Sequence, residues 1–130
     1  MMNKFKVYYE DTDASGRVYH ANYLRFLERG RTNIIYKSKY THKILLNKFN
    51  IIFVVKSCSI NFIKPAFFED TIEVLTSVKE ISRVKIIFFQ KILKKKDILL
   101  EAEVLIIPVN NLGKISKLPE EIFLYLKNLN

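Results

Sequence analysis

The sequence predicts an α+β fold in which a five-stranded antiparallel sheet covers one long helix. The longest helical pattern of the chain, residues 21–39, contains no Pro and repeats its apolar residues at helical spacing. Beyond residue 50 the apolar residues alternate with period two instead, in four segments joined by short connections. Strands that follow one another through short connections pair antiparallel, and one face of such a sheet needs a helix to cover it.

The first half of the chain holds one predicted strand and two predicted helices. Residues 4–10 form the first strand, because β-favouring residues alternate there with polar ones. A polar loop over residues 11–19 leads into the long helix. Gly30 lies inside that helix, where we expect another part of the backbone to pass close by. Residues 41–50 form the second helix, with Thr41 as its N-cap.

The second half of the chain is predicted to be mainly strand. The four strands occupy residues 51–63, 71–78, 84–93 and 99–109, and a short helix opens at Pro119. The segment 84–93 is almost continuously apolar, which predicts a strand buried on both faces. The lysine run 94–96 lies between two strands and ends at Asp97, so we interpret it as a solvated hairpin tip.

Length and composition favour one globular domain over residues 1–130. Hydrophobic residues make up 49% of the chain, and Cys58 is the only cysteine, so neither a disulfide framework nor a cysteine metal cluster is expected. No secretory leader and no membrane span is expected, which indicates a cytoplasmic protein. The net charge of +9 raises the question of nucleic acid, but the lysines are spread along the chain and no nucleic-acid partner is predicted. The charge does suit an anionic ligand.

The stretch around the first loop carries the chemistry. Glu10, Asp11 and Asp13 bring three carboxylates together just before the position, near His20, where the long helix should begin. A helix start presents unpaired backbone N–H groups and a positive dipole end. A carboxylate beside such donors can attack a carbonyl carbon while the donors stabilise the oxyanion that forms. Three like charges at one reacting carbonyl would repel each other, so Glu10 and Asp11 are expected to hold the loop.

The same stretch resembles a known family. The order Asp-x-Asp-x-x-Gly-x-Val, followed by an aromatic residue and the Ala-Asn-Tyr that opens the helix, resembles the 4-hydroxybenzoyl-CoA thioesterase family of hotdog-fold proteins. The segments Tyr-Glu-Asp-Thr-Asp-Ala and Val-Tyr-His-Ala-Asn-Tyr resemble the acyl-CoA thioesterase branch that is associated with the Tol-Pal envelope system of bacteria. The resemblance extends over nearly the whole chain. It implies a hotdog fold, with the sheet wrapped around the long helix.

The resemblance implies that Asp13 is the catalytic carboxylate, as nucleophile or as general base towards water. The alternative is a loop aspartate that only satisfies backbone N–H groups. The backbone N–H of His20 matches the donor that polarises the thioester carbonyl in the family. For the imidazole of His20 three roles stay open: an acid or base, a hydrogen-bond partner of Asp13, or a partly buried structural histidine.

Further substrate contacts are expected around this loop and on the helix. Gly16 lets the loop approach the ligand, and Tyr19 and Asn22 frame the site. Arg17 stands where the family usually has a small apolar residue, so it either narrows or polarises the acyl entrance or reaches a CoA phosphate. The full set of predicted substrate-binding residues is Tyr9, Gly16, Arg17, Tyr19, Asn22, Glu28, Arg83 and Lys85.

Two of these predictions concern residues far from the loop in sequence. Glu28 lies three residues before Arg31, so it either pairs with Arg31 on the helix surface or faces the acyl pocket. Arg83 and Lys85 are candidates for the CoA phosphates, contributed by a neighbouring subunit.

The resulting prediction is an acyl-CoA thioesterase that hydrolyses a thioester to a free acid and CoA without a metal or another cofactor. Exposed strand edges and apolar strands predict at least a homodimer, and the family implies a homotetramer as an alternative. The second hypothesis is a non-catalytic protein that binds acyl-CoA or acyl carrier protein in lipid or envelope metabolism. Acyl chain length and the choice between aliphatic and aromatic acyl groups stay open.

Overall fold

One antiparallel sheet of five strands organises the protein, in the order β1-β3-β4-β5-β2. The computed structural model describes residues 1–130. The strands are β1 (Met2–Lys6), β2 (Ile52–Phe62), β3 (Thr71–Ser82), β4 (Lys85–Lys94) and β5 (Asp97–Val109), and the helices are α1 (Tyr23–Tyr36), α2 (His42–Phe49) and α3 (Glu120–Lys127). The predicted α+β architecture is confirmed.

Helix α1 packs lengthwise on one face of the sheet, which we call the inner face. Its first half buries Tyr23, Phe26 and Leu27 in a cluster with side chains of β3, β4 and β5. Its second half buries Ile34 and Ile35 in a second cluster, which α2 and α3 complete. The apolar stripe of the helix therefore packs on the sheet, as the helical spacing predicted.

Strand β2 is left largely uncovered at one edge of the sheet. Its inner face carries Phe53, Val55, Cys58, Ile60 and Phe62, because these residues pair with inward-facing residues of β5. The side chains of Val55 and Phe62 are 53% and 50% exposed. A cleft therefore runs between α1 and the inner face of β2.

Strand β3 extends to Ser82, beyond the predicted end at residue 78. Two other element boundaries differ from the prediction for local reasons. Strand β1 ends at Lys6, and residues Tyr9–Asp11 form a 3₁₀ turn in which Asp11 Oδ2 accepts a hydrogen bond from the Tyr8 N–H at 2.8 Å. Helix α1 ends at Tyr36, where the Ser38 hydroxyl donates to the Ile35 carbonyl oxygen and Lys39 adopts a φ of 74°. In both places a polar side chain offers the backbone a partner that competes with the regular element.

The prediction that the apolar segment 84–93 is buried on both faces is wrong for this chain. In β4 the inner residues Ile86, Phe88, Gln90 and Ile92 are buried, whereas the residues between them are only half-buried. Ion pairs and long side chains cover the outer face in part, including Lys91 with Glu101 at 3.9 Å. The near-continuous apolar run therefore reflects one buried face and one partly covered face.

The N-cap of α2 and the turn after β4 follow the prediction. Thr41 caps α2, since its hydroxyl accepts the Ile44 N–H at 3.1 Å. Lys95 and Lys96 form the turn between β4 and β5, with Lys95 at a φ of 56°, and Lys94 is the last residue of β4, so the predicted hairpin tip is confirmed at these lysines. None of the helices has both the length and the apolar character that crossing a membrane requires.

Gly30 marks the closest approach of α1 to the sheet. A Cβ atom at this position would lie 2.7 Å from Thr76 Oγ1, 2.9 Å from Val74 Cγ1 and 3.1 Å from Gln90 Nε2. We expected a backbone segment here, and the structure shows side chains of β3 and β4 instead. The glycine is needed because any side chain would push the helix off the sheet.

Gly30→Ala is expected to lower the free energy of unfolding by about 2 kcal/mol through overpacking. This result would oppose the intrinsic helix propensity, which favours Ala over Gly by about 1 kcal/mol. Urea denaturation of both proteins measures the difference. Arg25→Ala, at an exposed position of the same helix, serves as the control and should change stability by less than about 0.5 kcal/mol. An alanine variant as stable as the parent would show that the neighbouring side chains of the sheet can move aside without a loss of stability.

Candidate active site

The acidic loop, residues 11–19, is held by backbone hydrogen bonds in a tight turn. The Asp13 N–H donates to the Arg17 carbonyl oxygen at 2.8 Å, and the Gly16 N–H donates to the Asp13 carbonyl oxygen at 3.0 Å. Gly16 adopts a φ of 81°, and a Cβ built on it would meet no atom within 4 Å. The turn therefore requires glycine for its left-handed backbone, not for space.

The return half of the loop is attached to the segment between β2 and β3. The Val18 N–H donates to the Ala66 carbonyl oxygen at 2.9 Å, and the Phe68 N–H donates to the Gly16 carbonyl oxygen at 3.0 Å. Asp13 thus lies at the tip of a turn whose base is fixed to the main body of the protein.

The carboxylate of Asp13 is exposed and uses only one of its two oxygens. Oδ1 accepts hydrogen bonds from the Ser15 N–H at 2.8 Å and from the Ser15 hydroxyl, while Oδ2 has no partner in the chain. The hydroxyl and then the N–H of Ser15 hold the pKa of Asp13 below its ordinary value of 3.8, and Arg17 lowers it further. The carboxylate is therefore ionised at neutral pH with one oxygen free to react.

Ser15→Ala is expected to raise the pKa of Asp13 towards 3.8, because the largest cause of the lowered pKa is removed. The pKa should stay below 3.8, since the backbone N–H of residue 15 still donates. Because the pKa is lowered in the folded state, the stabilisation from Asp13 is present above its unfolded pKa and is lost as pH falls through the folded pKa. A titration of the Asp13 carboxyl carbon by NMR measures the pKa, with Thr12→Ala as the control. An unchanged pKa in Ser15→Ala would remove Ser15 from this role.

Asp11 ties the loop to the start of the long helix. Its carboxylate is only 6% exposed, and it accepts the Tyr8 N–H on Oδ2 and the side-chain N–H of Asn22 on Oδ1, the latter at 2.7 Å. The side chain of Asn22 is therefore committed to Asp11. These bonds explain how the acidic loop and the helix start keep a fixed relation.

The backbone at the helix start offers free donors. A 3₁₀ turn, His20–Asn22, precedes α1, so the expected helix start near His20 is confirmed. The backbone N–H groups of His20 and Ala21 have no acceptor in the chain. These two donors are the kind that stabilise an oxyanion.

The imidazole of His20 is exposed and packs beside an aromatic ring. It packs against the Tyr19 ring with a centroid distance of 4.7 Å and makes no hydrogen bond with Asp13. It borders a groove of about 250 Å³ that is lined by Val18, His20, Tyr23, Phe62, Ile63, Lys64 and Pro65. Of the open alternatives for this side chain, the hydrogen bond to Asp13 is absent from the chain.

Aromatic side chains surround the loop. Tyr9 is 78% exposed and stacks on Phe68 with a centroid distance of 4.0 Å, and the Arg17 guanidinium lies over the Phe67 ring at 5.4 Å. Tyr19 is also exposed. The predicted residues Tyr9, Gly16, Arg17 and Tyr19 therefore lie in or beside the acidic loop that carries Asp13, and Asn22 is joined to that loop through Asp11.

Comparison with known proteins gives a consistent result across sequence relatives. The thioesterase-like superfamily matches residues 7–124. The acyl-CoA thioesterase YbgC of Haemophilus influenzae is 39% identical over 119 residues, which cover 90% of this chain and 87% of that protein. The acyl-CoA thioester hydrolase YbgC of Escherichia coli is 37% identical over 119 residues, which cover 90% of this chain and 88% of that protein. The chain belongs to the thioesterase-like superfamily.

Solved structures agree with this assignment. A probable thioesterase from Bartonella henselae superposes with a TM-score of 0.89 at 33% identity, covering 92% of this chain and 98% of that chain. A mutant 4-hydroxybenzoyl CoA thioesterase complexed with 4-hydroxybenzoyl CoA superposes with a TM-score of 0.90 at 17% identity over 97% of each chain, which is a similarity of fold alone. The hotdog fold implied by the sequence resemblance is confirmed.

Glu28 lines a second cavity, whose lining includes no residue of the acidic loop. This cavity, of about 170 Å³, lies between α1, α2 and the inner face of the sheet. Its lining consists of Glu28, Arg31, Thr32, Ile35, His42, Phe53, Val55, Ile86, Phe88 and Ile106. Glu28 accepts a hydrogen bond from the Thr32 hydroxyl at 2.7 Å, and no ion pair with Arg31 forms, so that interpretation of Glu28 is wrong. Its side chain faces the cavity instead.

Arg83 and Lys85 lie at the other end of the sheet from the acidic loop. Both flank the turn between β3 and β4, whereas the loop packs beside the start of β3. The Arg83 guanidinium donates from Nε and Nη2 to the Leu118 carbonyl oxygen at 2.9 and 2.6 Å, and Lys85 pairs with Glu80 at 3.2 Å. Within one chain of this thioesterase-like protein, neither residue joins the site around Asp13.

Three features that bear on the site were not predicted from the sequence. Ser15 was not predicted as the donor to Asp13, although an Asp followed two residues later by Ser is a common turn pattern. The bond between Asn22 and Asp11 was not foreseen. Gln90, an inward polar residue within an apolar strand, was a visible signal, but its partner Arg31 is 59 residues away.

Proposed function

We propose that the protein is an acyl-CoA thioesterase, which hydrolyses an acyl-CoA thioester to a free acid and CoA. The observation that carries the proposal is the Asp13 carboxylate, with one oxygen bound by Ser15 and the other free, in the loop that precedes two unpaired backbone N–H groups. The two thioesterase relatives named above, whose similarity covers 90% of this chain, support the same reaction.

The proposed chemistry uses a carboxylate, water and backbone donors. Asp13 attacks the thioester carbonyl carbon, or removes a proton from a water molecule that does so. The backbone N–H groups of His20 and Ala21 stabilise the negative oxygen of the tetrahedral intermediate. The carbon–sulfur bond then breaks and the CoA thiolate takes a proton. If Asp13 is the nucleophile, the acyl group stays on its carboxylate as a mixed anhydride, which a water molecule hydrolyses to the free acid and the restored carboxylate; if Asp13 is the base, the acid forms directly. Either route consumes one water molecule per acid released. We propose that the reaction needs neither a metal nor another cofactor.

The test is the release of thiol from a panel of acyl-CoA thioesters of short, long and aromatic acyl groups. Thiol release that depends on enzyme concentration, from at least one substrate, supports the proposal. Purified folded protein that releases no thiol from any member of the panel would overturn it. The same panel would identify the preferred acyl group.

We further propose that the active unit is a homodimer or homotetramer in the cytoplasm. Support comes from β2, an edge strand with no neighbouring strand on one side to pair with its backbone N–H and C=O groups. Its apolar side chains Ile52, Val54 and Val55 are also exposed. A neighbouring subunit would also be needed for Arg83 and Lys85 to reach CoA phosphates at the acidic loop. Sedimentation at micromolar concentration should show a dimer or tetramer, and a fully active monomer would contradict the proposal.

A second candidate function is a non-catalytic partner of acyl carrier protein, acting in lipid or Tol-Pal-associated envelope metabolism. The net charge of +9 favours this candidate, because acyl carrier proteins are acidic. Nucleic acid is not proposed as a partner. Capture of acyl carrier protein by protein that hydrolyses no acyl-CoA would favour this candidate over the first.

A further inference from the structure

Gln90 is a fully buried amide at the centre of a sheet face whose other buried residues are apolar except for Thr76. It lies on β4, paired with Thr76 of β3 and Ala102 of β5, and its side chain is 0% exposed. Burying an amide costs free energy unless its hydrogen bonds are made. An apolar residue of similar size would fill the same space without that requirement.

The bonds of Gln90 are directed at α1. Nε2 donates to the Leu27 carbonyl oxygen at 2.9 Å and to Thr76 Oγ1 at 2.9 Å. Oε1 accepts a hydrogen bond from Arg31 Nη1 at 3.0 Å. Both acceptors lie on the Nε2 side, so only one orientation of the amide satisfies all three contacts. In this orientation Gln90 holds Arg31 at the wall of the cavity that Glu28 also lines.

These contacts fix the helix in a way that its apolar packing does not. Phe26, Leu27 and Ile34 bury apolar surface, and such burial has no preferred direction along the helix axis. The hydrogen bonds to Leu27 and Arg31 do have a direction, and Gly30 between them lets the helix approach close enough to form them. Gln90 therefore sets both the height of α1 above the sheet and its position along the axis.

The first turn of the helix carries the candidate site. The 3₁₀ turn that presents the free N–H of His20 runs directly into α1. Asn22 binds the Asp11 carboxylate at 2.7 Å, and the Tyr23 hydroxyl accepts the Ala66 N–H at 2.9 Å. A shift of α1 would therefore move both the oxyanion donors and the loop that holds Asp13.

We propose that Gln90 is a positioning residue for thioester hydrolysis, which acts through α1 by hydrogen bonding to the Leu27 carbonyl oxygen and to Arg31. The proposal rests on the proposed function, since it assigns the site at the helix start to that reaction. Gln90 is itself buried beneath the helix, with no exposed surface that a substrate could reach. Its effect is on geometry, where small displacements of reacting groups cost large factors in rate.

Gln90→Leu removes the three hydrogen bonds while keeping a side chain of similar bulk. At a temperature where the variant is fully folded, kcat should fall at least about 10-fold with KM changed by less than about 3-fold. The amide NMR shifts of residues 20–23 should move, although Gln90 bonds to none of them. The control is Leu126→Ala in the second core cluster, which lowers stability without touching these bonds and should leave kcat and these shifts unchanged.

Thr76→Val provides a second, milder variant, because it removes one acceptor and leaves the bonds to Leu27 and Arg31. It should move the same amide shifts in the same direction by a smaller amount. If Gln90→Leu does not fold, this variant tests the positioning role in its place. Unmoved shifts, or a loss of kcat in Leu126→Ala equal to that in the Gln90 variant, would overturn the positioning role. If no acyl-CoA is hydrolysed at all, the proposed function fails, and the amide shifts still decide whether Gln90 positions the helix start.

Discussion

Asp13→Asn is expected to lower kcat for acyl-CoA hydrolysis by about 10³-fold while the protein stays folded. The substitution removes the negative charge and the nucleophilic or basic oxygen, which is Oδ2 in this structure. It keeps a side-chain carbonyl oxygen that can accept the hydrogen bonds now made from Ser15 to Oδ1. The turn should therefore survive, and the loss should lie in the chemical step, not in binding.

Steady-state kinetics with the best substrate of the acyl-CoA panel measures this loss, and circular dichroism confirms the fold. Glu10→Gln is the matched control, because Glu10 is an exposed carboxylate three residues away that makes no hydrogen bond in the chain. The control should retain activity within about 2-fold. A fully active Asp13→Asn variant would exclude Asp13 from the reaction and leave the free N–H groups of His20 and Ala21 without a reactive partner.

The sequence was sufficient for the order and type of the elements because their signals are local. Alternation of apolar residues marks each strand, and helical spacing marks α1, so both follow from neighbours within a few positions. Two element ends were misplaced where a side chain bonds to nearby backbone, as Asp11 does to Tyr8 and Ser38 does to Ile35. Such bonds end an element without changing its apolar pattern.

The candidate site was predictable only in part, because only relations between residues close in sequence can be read from the sequence. Asp13 and the helix start near His20 lie in one continuous motif, so their proximity follows from the sequence. The contact between Arg31 and Gln90 depends on how the helix lies across the sheet, and it joins residues 59 positions apart. The separation of Arg83 from the acidic loop likewise depends on which end of β3 each one occupies. No local pattern encodes either relation.

Asp11→Ala is expected to lower the free energy of unfolding by about 3 kcal/mol, which is a large effect for one loop residue. The carboxylate of Asp11 accepts hydrogen bonds from the Tyr8 N–H and from Asn22, and the Asn22 side chain is buried. Alanine would leave both donors without a partner. Losing a hydrogen bond to a charged acceptor costs more free energy than losing one between neutral groups. Urea denaturation measures the change, with Glu10→Ala as the exposed control in the same turn.

A double-mutant cycle separates the bond between Asp11 and Asn22 from the rest of this effect. If the two side chains act through their 2.7 Å hydrogen bond, Asn22→Ala should cost much less in the Asp11→Ala background than in the parent protein. The coupling should be about 1–2 kcal/mol. Independent, additive losses would mean that the acidic loop and the helix start are held together by other contacts. In that case a shift of α1 would not be passed to Asp13 through this bond, and each half of the site would have to be positioned separately.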